Sequence, residues 1–363
     1  MDIKFDYDDI LIKPSDVSTI NSRSEVNIFD ERGMLPLITA PMDTVVSTNN
    51  FDIFNNNLIY SIIPRKQYTY REYYSSNPYN FYSYGLDDFK TIFLDNSVDD
   101  TKPIYALIDV ANGHMFKLHK MVNEAKNKYG DQLVLMAGNV ASPEGYKALS
   151  EAGADMIRCG IGNGNSCSTS QNTGIGYPSG SLIREIKEIS LKMSNPATII
   201  ADGGIKKYAD IIKALYLGAD MVMIGSLFNK ALESCGGDYV KEDSEKIQFT
   251  SFKDYTNRIG NDTFGRLGKI SLEDLMKCGQ LFKKFRGMST KDAQKSLGRE
   301  ILKTSEGVIR YNKVEYTLSG WVENFSDYLK SAMSYTNSLN LDDFRSVCDY
   351  VPITQNALTR FSK

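Results

Sequence analysis

The chain has 363 residues, 42% of them hydrophobic and 24% charged, with 42 basic against 45 acidic side chains and a formal charge of −3. That length suits two average domains or one (β/α)8 barrel with insertions, and the near-neutral balance argues against a nucleic-acid surface, so an acidic ligand must be held locally. Five cysteines without paired spacing and only two histidines point to a reducing compartment and away from a zinc site. The polar start Met1-Asp-Ile-Lys-Phe-Asp6 and the lack of a membrane-length apolar run predict a soluble, cytoplasmic protein with no membrane partner.

Residues 1–34 read as polar and irregular. From there, short apolar runs recur every 20 to 40 residues, at 35–40, 58–63, 81–84, 104–108, 133–136, 156–159, 197–200 and 221–224. Each is followed by a loop and a stretch with helical periodicity. Gly145–Ala154 and Tyr208–Ala219, for example, put their apolar residues on one helical face and carry a glycine stop before the next run. Eight such units predict parallel strands covered on both faces and closed into a (β/α)8 TIM barrel, a single domain over 1–363. Residues 238–284 break the rhythm; rich in Lys, Asp, Glu and Gly and without an evident strand, they read as an insertion after the last barrel strand and as a lid. Residues 321–333 read as a helix, and 334–363 as a packed terminal arm.

The stretch with the strongest chemical reading is Gly160-Ile-Gly-Asn-Gly-Asn-Ser-Cys167-Ser-Thr169, continuing to Gly176. It follows the sixth apolar run, so it lies at a strand's C-terminal end, where α/β proteins place their chemistry. Its glycines allow close backbone approach to a ligand, and Cys167 sits among small polar neighbours as a candidate nucleophile. Read in isolation, such a cysteine is more often a small buried thiol in a glycine-rich turn. Asp202-Gly203-Gly204 after the seventh run and Gly225-Ser226 after the eighth occupy loops that in barrels bind phosphate through backbone N–H groups, with Asp202 suited to ribose hydroxyls; Asp-Gly-Gly is also a common tight turn. Asp109-Val-Ala111-Asn112-Gly113-His114 ends the fourth run, where Asp109 and Asn112 serve either a second ligand or a helix N-cap. His114 reads as a loop residue.

Taken in order, Phe5-Asp-Tyr-Asp-Asp-Ile10, Asn21-Ser-Arg-Ser-Glu25, Ala40-Pro-Met42-Asp-Thr44, Asp109–Gly113, Ala137-Gly-Asn-Val140, the Cys167 loop, Ala201–Ile205, Met223-Ile-Gly-Ser226 and Arg286-Gly287-Met288 resemble the IMP dehydrogenase/GMP reductase family. The resemblance runs from about residue 5 to the tail, interrupted mainly by 238–284. It implies a (β/α)8 barrel, usually a homotetramer, in which a cysteine thiolate attacks carbon 2 of a purine nucleotide and a nicotinamide exchanges hydride with that carbon.

Within the family, the dehydrogenase hydrolyses its covalent intermediate with an Arg-Tyr pair on a long flap. Here only seventeen residues separate Gly287-Met288 from Glu306-Gly307, and no Arg-Tyr lies among them; Arg310-Tyr311 comes just beyond. This favours the reductase direction, GMP to IMP and ammonia with NADPH. By resemblance, Cys167 is the nucleophile and Thr169 with Glu306 the proton-transfer pair. Met42, Asn165, Ser166, Asp202, Gly203, Gly204, Gly225, Ser226, Arg286, Gly287, Met288 and Ser289 then line the substrate, and Asp109, Ala111, Asn112, Gly113 and Arg65 the cofactor. The carbonyls of Gly162, Gly164 and Cys167 match a potassium-binding loop.

Three departures from the family stand out. Its loop reads Gly-Pro-Gly-Ser where this chain has Asn163 and Asn165, Phe285 replaces a tyrosine, and Ile63-Pro-Arg-Lys66 lacks a histidine. The alternatives are an NAD-dependent IMP dehydrogenase, a reductase of a modified purine nucleotide, an FMN-dependent barrel and a non-catalytic nucleotide-binding scaffold.

Overall fold

The computed structural model describes residues 3–66, 77–96, 98, 102–164, 167–241, 249–255, 271–298, 300–302, 304 and 307–361. Eight strands form one all-parallel sheet: β2 (Leu37–Thr39), β3 (Ser61–Ile63), β4 (Asn80–Tyr84), β5 (Ile104–Asp109), β6 (Leu133–Val140), β7 (Met156–Cys159), β8 (Thr198–Asp202) and β9 (Met221–Ile224). Neighbours pair in chain order, and β2 pairs with β9. The ring closes where Tyr60, just before β3, exchanges backbone hydrogen bonds with β2, Thr39 N to Tyr60 O at 2.9 Å and Tyr60 N to Leu37 O at 3.0 Å. All eight apolar runs are strands of this (β/α)8 barrel.

The strands are short and buried on both faces because each side chain row has its own cover. Ile38, Ile62, Phe81, Leu107, Met136, Ile200 and Met223 fill the barrel interior, while Leu37, Ile104, Ile108, Leu135, Ile157, Ile199 and Val222 pack outward against the helices. Those helices form where the pattern placed them. α4 (Pro143–Glu151) starts with Ser142 Oγ accepting from Gly145 N at 3.0 Å and proline in its first turn; α6 is Ser179–Ser190 and α7 Tyr208–Tyr216. No helix among the described residues is long and apolar enough to cross a membrane.

The terminal regions are ordered by one another. β1 (Ile10–Ile12) pairs antiparallel with β14 (Tyr350–Pro352), so the expected irregular start holds a strand. Helix Leu318–Tyr335 buries Trp321 against Phe325, their rings 5.6 Å apart, and Phe344 of the arm packs on Tyr216.

The reading of 238–284 as strandless is corrected. β10 (Asp238–Lys241), β11 (Phe249–Ser251) and β12 (Leu281–Arg286) lie within or across it, and with β13 (Ile309–Lys313) they form an antiparallel sheet ordered β11-β10-β12-β13. The pattern is hidden because β12 turns Lys283 inward, where it is 3% exposed and reaches Asp238 Oδ1 at 2.7 Å and Ser234 O at 2.9 Å. A paired lysine thus occupies what hydropathy alone treats as a polar slot.

Candidate active site

Strand alternation decides which side chains reach the C-terminal mouth of the barrel. Interior residues Tyr105 and Leu107 put Asp109 inward on β5, Met156 does the same for Arg158 on β7, and Ile200 for Asp202 on β8. The three charges pair. Arg158 Nη1 lies 2.6 Å from Asp109 Oδ1, and its Nε and Nη2 reach Asp202 Oδ2 at 3.0 and 2.8 Å. Asn139, near the end of β6, donates to the same Asp202 oxygen at 2.7 Å and to Gly160 O at 2.8 Å. Arg65 closes the row from beyond β3, with Nε and Nη2 at 3.0 and 2.8 Å from Asp109 Oδ2 and a further bond to the Asp109 carbonyl.

Burial pushes the Asp109 carboxyl up, but the attraction of Arg65 and Arg158 outweighs it and holds the group below the usual carboxylate range. Burial likewise opposes the charge on Arg158, and Asp202 and Asp109 more than offset it. Both Asp109 oxygens are therefore engaged, while Asp202 Oδ1 has no partner among the described residues. Arg158 and Asn139 are site residues that the sequence reading passes over. The signal for Arg158 was present, because a charge inside the buried strand Met-Ile-Arg-Cys requires a counter-charge.

The nucleophile loop leaves β7 at Gly160, where φ is +141° and a Cβ would stand 2.0 Å from Asp202 O, so only glycine lets the ends of β7 and β8 meet. The loop then packs on the next turn. Asn163 O accepts from Gly204 N at 2.8 Å, and a Cβ at Gly203 would lie 3.3 Å from Gly164 N. Cys167 N donates to Gly164 O at 2.9 Å. The Cys167 side chain is exposed, its thiol donating to Thr169 Oγ1 at 3.2 Å at the start of α5 (Thr169–Thr173), and its backbone bridges Gly307. Cys159, the last residue of β7, is the contrast: buried, with its thiol pushed far up by burial and then by Asp202. Asn165, Ser166 and Glu306 lie outside the described residues.

Beyond β9, Gly225 adjoins Met42 and Phe285, since a Cβ there would be 3.1 Å from Met42 Sδ and 3.7 Å from Phe285 Cζ. Ser226 opens the short helix α8 (Ser226–Asn229). Gly287 is buried, Met288 half-buried and Ser289 exposed. Arg286, expected at the substrate, is instead committed to protein groups. Its guanidinium bonds Asp43 and Asp292 and reaches Ser296 Oγ at 3.0 Å, which ties the Met42 turn to helix Lys291–Ser296. Tyr311 stacks on Phe249 at 4.2 Å, on the sheet rather than in the mouth row.

On the cofactor side, Ala111 and Asn112 are exposed. Gly113 N donates to Asn139 O at 2.7 Å, and a Cβ at Gly113 would come within 2.6 Å of that oxygen. The following helix, α3 (Phe116–Tyr129), has Met115 at its N-cap without a side-chain bond, so neither Asp109 nor Asn112 caps it. His114 Nε2 accepts the Ala141 amide at 3.0 Å and so holds a loop together. Among the described residues no group of three or more His, Cys, Asp or Glu is placed to hold a metal ion. The exposed rim at Ala111 and Asn112 lies beside the Arg65–Asp109 ion pair, and of the Gly162–Gly164 carbonyls those of Asn163 and Gly164 already accept the Gly204 and Cys167 amides.

Residues 98–256, spanning β5 to β11, match the family described as the IMP dehydrogenase / GMP reductase domain. The chain is 30% identical to the GMP reductase of Staphylococcus carnosus over 98% of its own length and 97% of the relative. It is 33% identical to the GMP reductase of Oceanobacillus iheyensis over 68% of the chain and 77% of the relative, and 26% identical to that of Caenorhabditis elegans over 97% and 92%. A closed parallel barrel whose mouth carries an exposed cysteine, together with 30% identity to a GMP reductase over nearly the whole chain, places the chain in the IMP dehydrogenase/GMP reductase family.

Proposed function

We propose that this chain is a GMP reductase, converting GMP to IMP and ammonia with NADPH. The observation that carries the reading is the exposed Cys167 thiol, hydrogen-bonded to Thr169 on a loop that packs against Gly203–Gly204 and bridges Gly307. The relatives named GMP reductase support the direction, as does the seventeen-residue interval before Glu306.

Cys167 loses its proton and bonds to carbon 2 of the guanine base. The exocyclic amino group takes up a proton from the Thr169–Glu306 pair and leaves as ammonia, so the base is held through sulfur as a thioimidate. Asp109, Ala111, Asn112, Gly113 and Arg65 would hold NADPH, which would supply a hydride at carbon 2. The carbon–sulfur bond then breaks, and Cys167 is released as IMP departs.

Asp202 Oδ1 accepts from the ribose, Gly203, Gly225 and Ser226 face the phosphate, and Met42 with Met288 and Ser289 frames the base. The Gly204 amide, already taken by Asn163, contributes through its turn and not as a donor. The carbonyls of Gly162, Gly164 and Cys167 would be the donors for a potassium ion. Residues 238–284 serve as a lid, and the protein works as a cytoplasmic homotetramer.

The test is GMP-dependent loss of the reduced-nicotinamide absorbance, abolished in Cys167→Ala with GMP binding retained. Absence of turnover with GMP ends this reading; reduction of NAD with IMP selects the dehydrogenase instead.

A further inference from the structure

Asn163 stands four residues before Cys167, where the family loop has proline. Its side-chain nitrogen donates to Tyr177 O at 2.8 Å and to Ser179 Oγ at 2.6 Å, so both of its N–H groups are used. Ser179 opens α6 and is 4% exposed. Tyr177 is in turn anchored by its hydroxyl to Glu185 Oε2 at 2.5 Å, on the same helix. The carbonyl of Asn163 accepts the Gly204 amide at 2.8 Å. One residue therefore fastens the thiol-bearing loop to α6 on one side and to the β8 turn on the other.

We propose that Asn163 is a positioning residue for Cys167, an inference that rests on Cys167 being the nucleophile. A proline holds its loop by locking φ; Asn163 achieves the same restriction with two side-chain hydrogen bonds. It touches no reacting atom. Its removal leaves the buried Ser179 hydroxyl without its donor and lets the loop sample conformations in which the sulfur is off line from the base. Asp202 and the start of α8 do not depend on either side-chain bond, so nucleotide binding survives while turnover falls.

The experiment uses the full-length protein carrying Asn163→Ala, Asn163→Pro or Ser179→Ala, each checked for folding by thermal melting. Two quantities are read: steady-state kinetics with GMP and NADPH, and the rate at which iodoacetamide alkylates Cys167 without nucleotide, followed by mass spectrometry. In Asn163→Ala, kcat falls by about tenfold or more while KM for GMP stays within about threefold, and the alkylation rate changes by more than about threefold. Ser179→Ala, which removes one of the two bonds, moves both quantities the same way by less. Asn163→Pro restores both toward the native values, although it can bond neither partner. A folded Asn163→Ala with native kcat, a loss confined to KM, or a proline variant no better than alanine overturns the proposal. If the native protein does not reduce GMP, the proposed activity fails, and the alkylation rates still decide whether residue 163 positions the thiol.

Discussion

Arg158 reaches Asp109 across the barrel mouth at 2.6 Å, and the same guanidinium holds Asp202 at 2.8 Å. One buried cation thus serves the carboxylate assigned to the cofactor and the one assigned to the nucleotide. Replacing Arg158 by methionine leaves two inward carboxylates without it, and the chain loses about 3–5 kcal/mol of stability. Asp109 has a depressed folded-state pKa, so its stabilising contribution is present above its unfolded value and is lost as pH falls through the folded one. Urea denaturation of native and Arg158→Met protein therefore shows its largest difference near neutral pH. The gap narrows as pH falls from about 4 through the lowered Asp109 value, where its protonated carboxyl needs no counter-charge; a gap constant with pH contradicts the assignment.

His114 gives a second pH dependence, in a different window. Burial, and then the neighbouring His119, hold its imidazole below the ordinary histidine value. The folded state thus resists protonation, and the stability contribution is intact above the unfolded pKa of about 6.5 and declines as pH falls toward the lowered folded value. Protonation also removes the acceptor for Ala141 N. His114→Gln flattens the stability profile between about pH 6.5 and 5, measured by thermal melting, with catalytic pH dependence at Cys167 unaltered.

Thr169 is the described half of the proposed proton-transfer pair. Thr169→Val keeps the volume and removes the oxygen that accepts from the Cys167 thiol. GMP turnover drops by about 100-fold or more, while GMP binding measured by calorimetry is retained within a few-fold. Native turnover in this variant removes Thr169 from the chemistry.

Arg286 and Asp43 form the tie between the Met42 turn and the Gly287-Met288 turn, the two segments proposed to frame the base. A double-mutant cycle with Arg286→Lys and Asp43→Asn yields a coupling of about 1–3 kcal/mol in denaturant unfolding. Lysine keeps the charge but not the fork that also holds Asp292 and Ser296. Additive effects within error mean that the two residues act independently.

The barrel strands were legible because each is a brief, unbroken apolar run bounded by a loop and a periodic helix, a pattern written in adjacent residues. β12 was not, since its inward row Leu281-Lys283-Phe285 includes a lysine whose partners, Asp238 and Ser234, lie on distant chain. The exposed thiol was legible from small polar neighbours around Cys167. The commitment of Arg286 to Asp43 and Asp292 was not, because an arginine beside a glycine-methionine turn carries no mark of whether its partner is a ligand or a carboxylate of the same chain.

The amino-acid order by itself determined the eight-fold strand–helix alternation, the placing of Cys167, Asp202 and Gly225 beyond strand ends, and the family. These follow from burial and backbone preferences that act over a few residues. Only the tertiary structure decided that Arg65 and Arg158 occupy both oxygens of Asp109, that Asn163 binds α6, and that Arg286 is a tie. Such pairings join residues as many as 243 positions apart. They depend on strand register and ring closure, which no local stretch of sequence encodes.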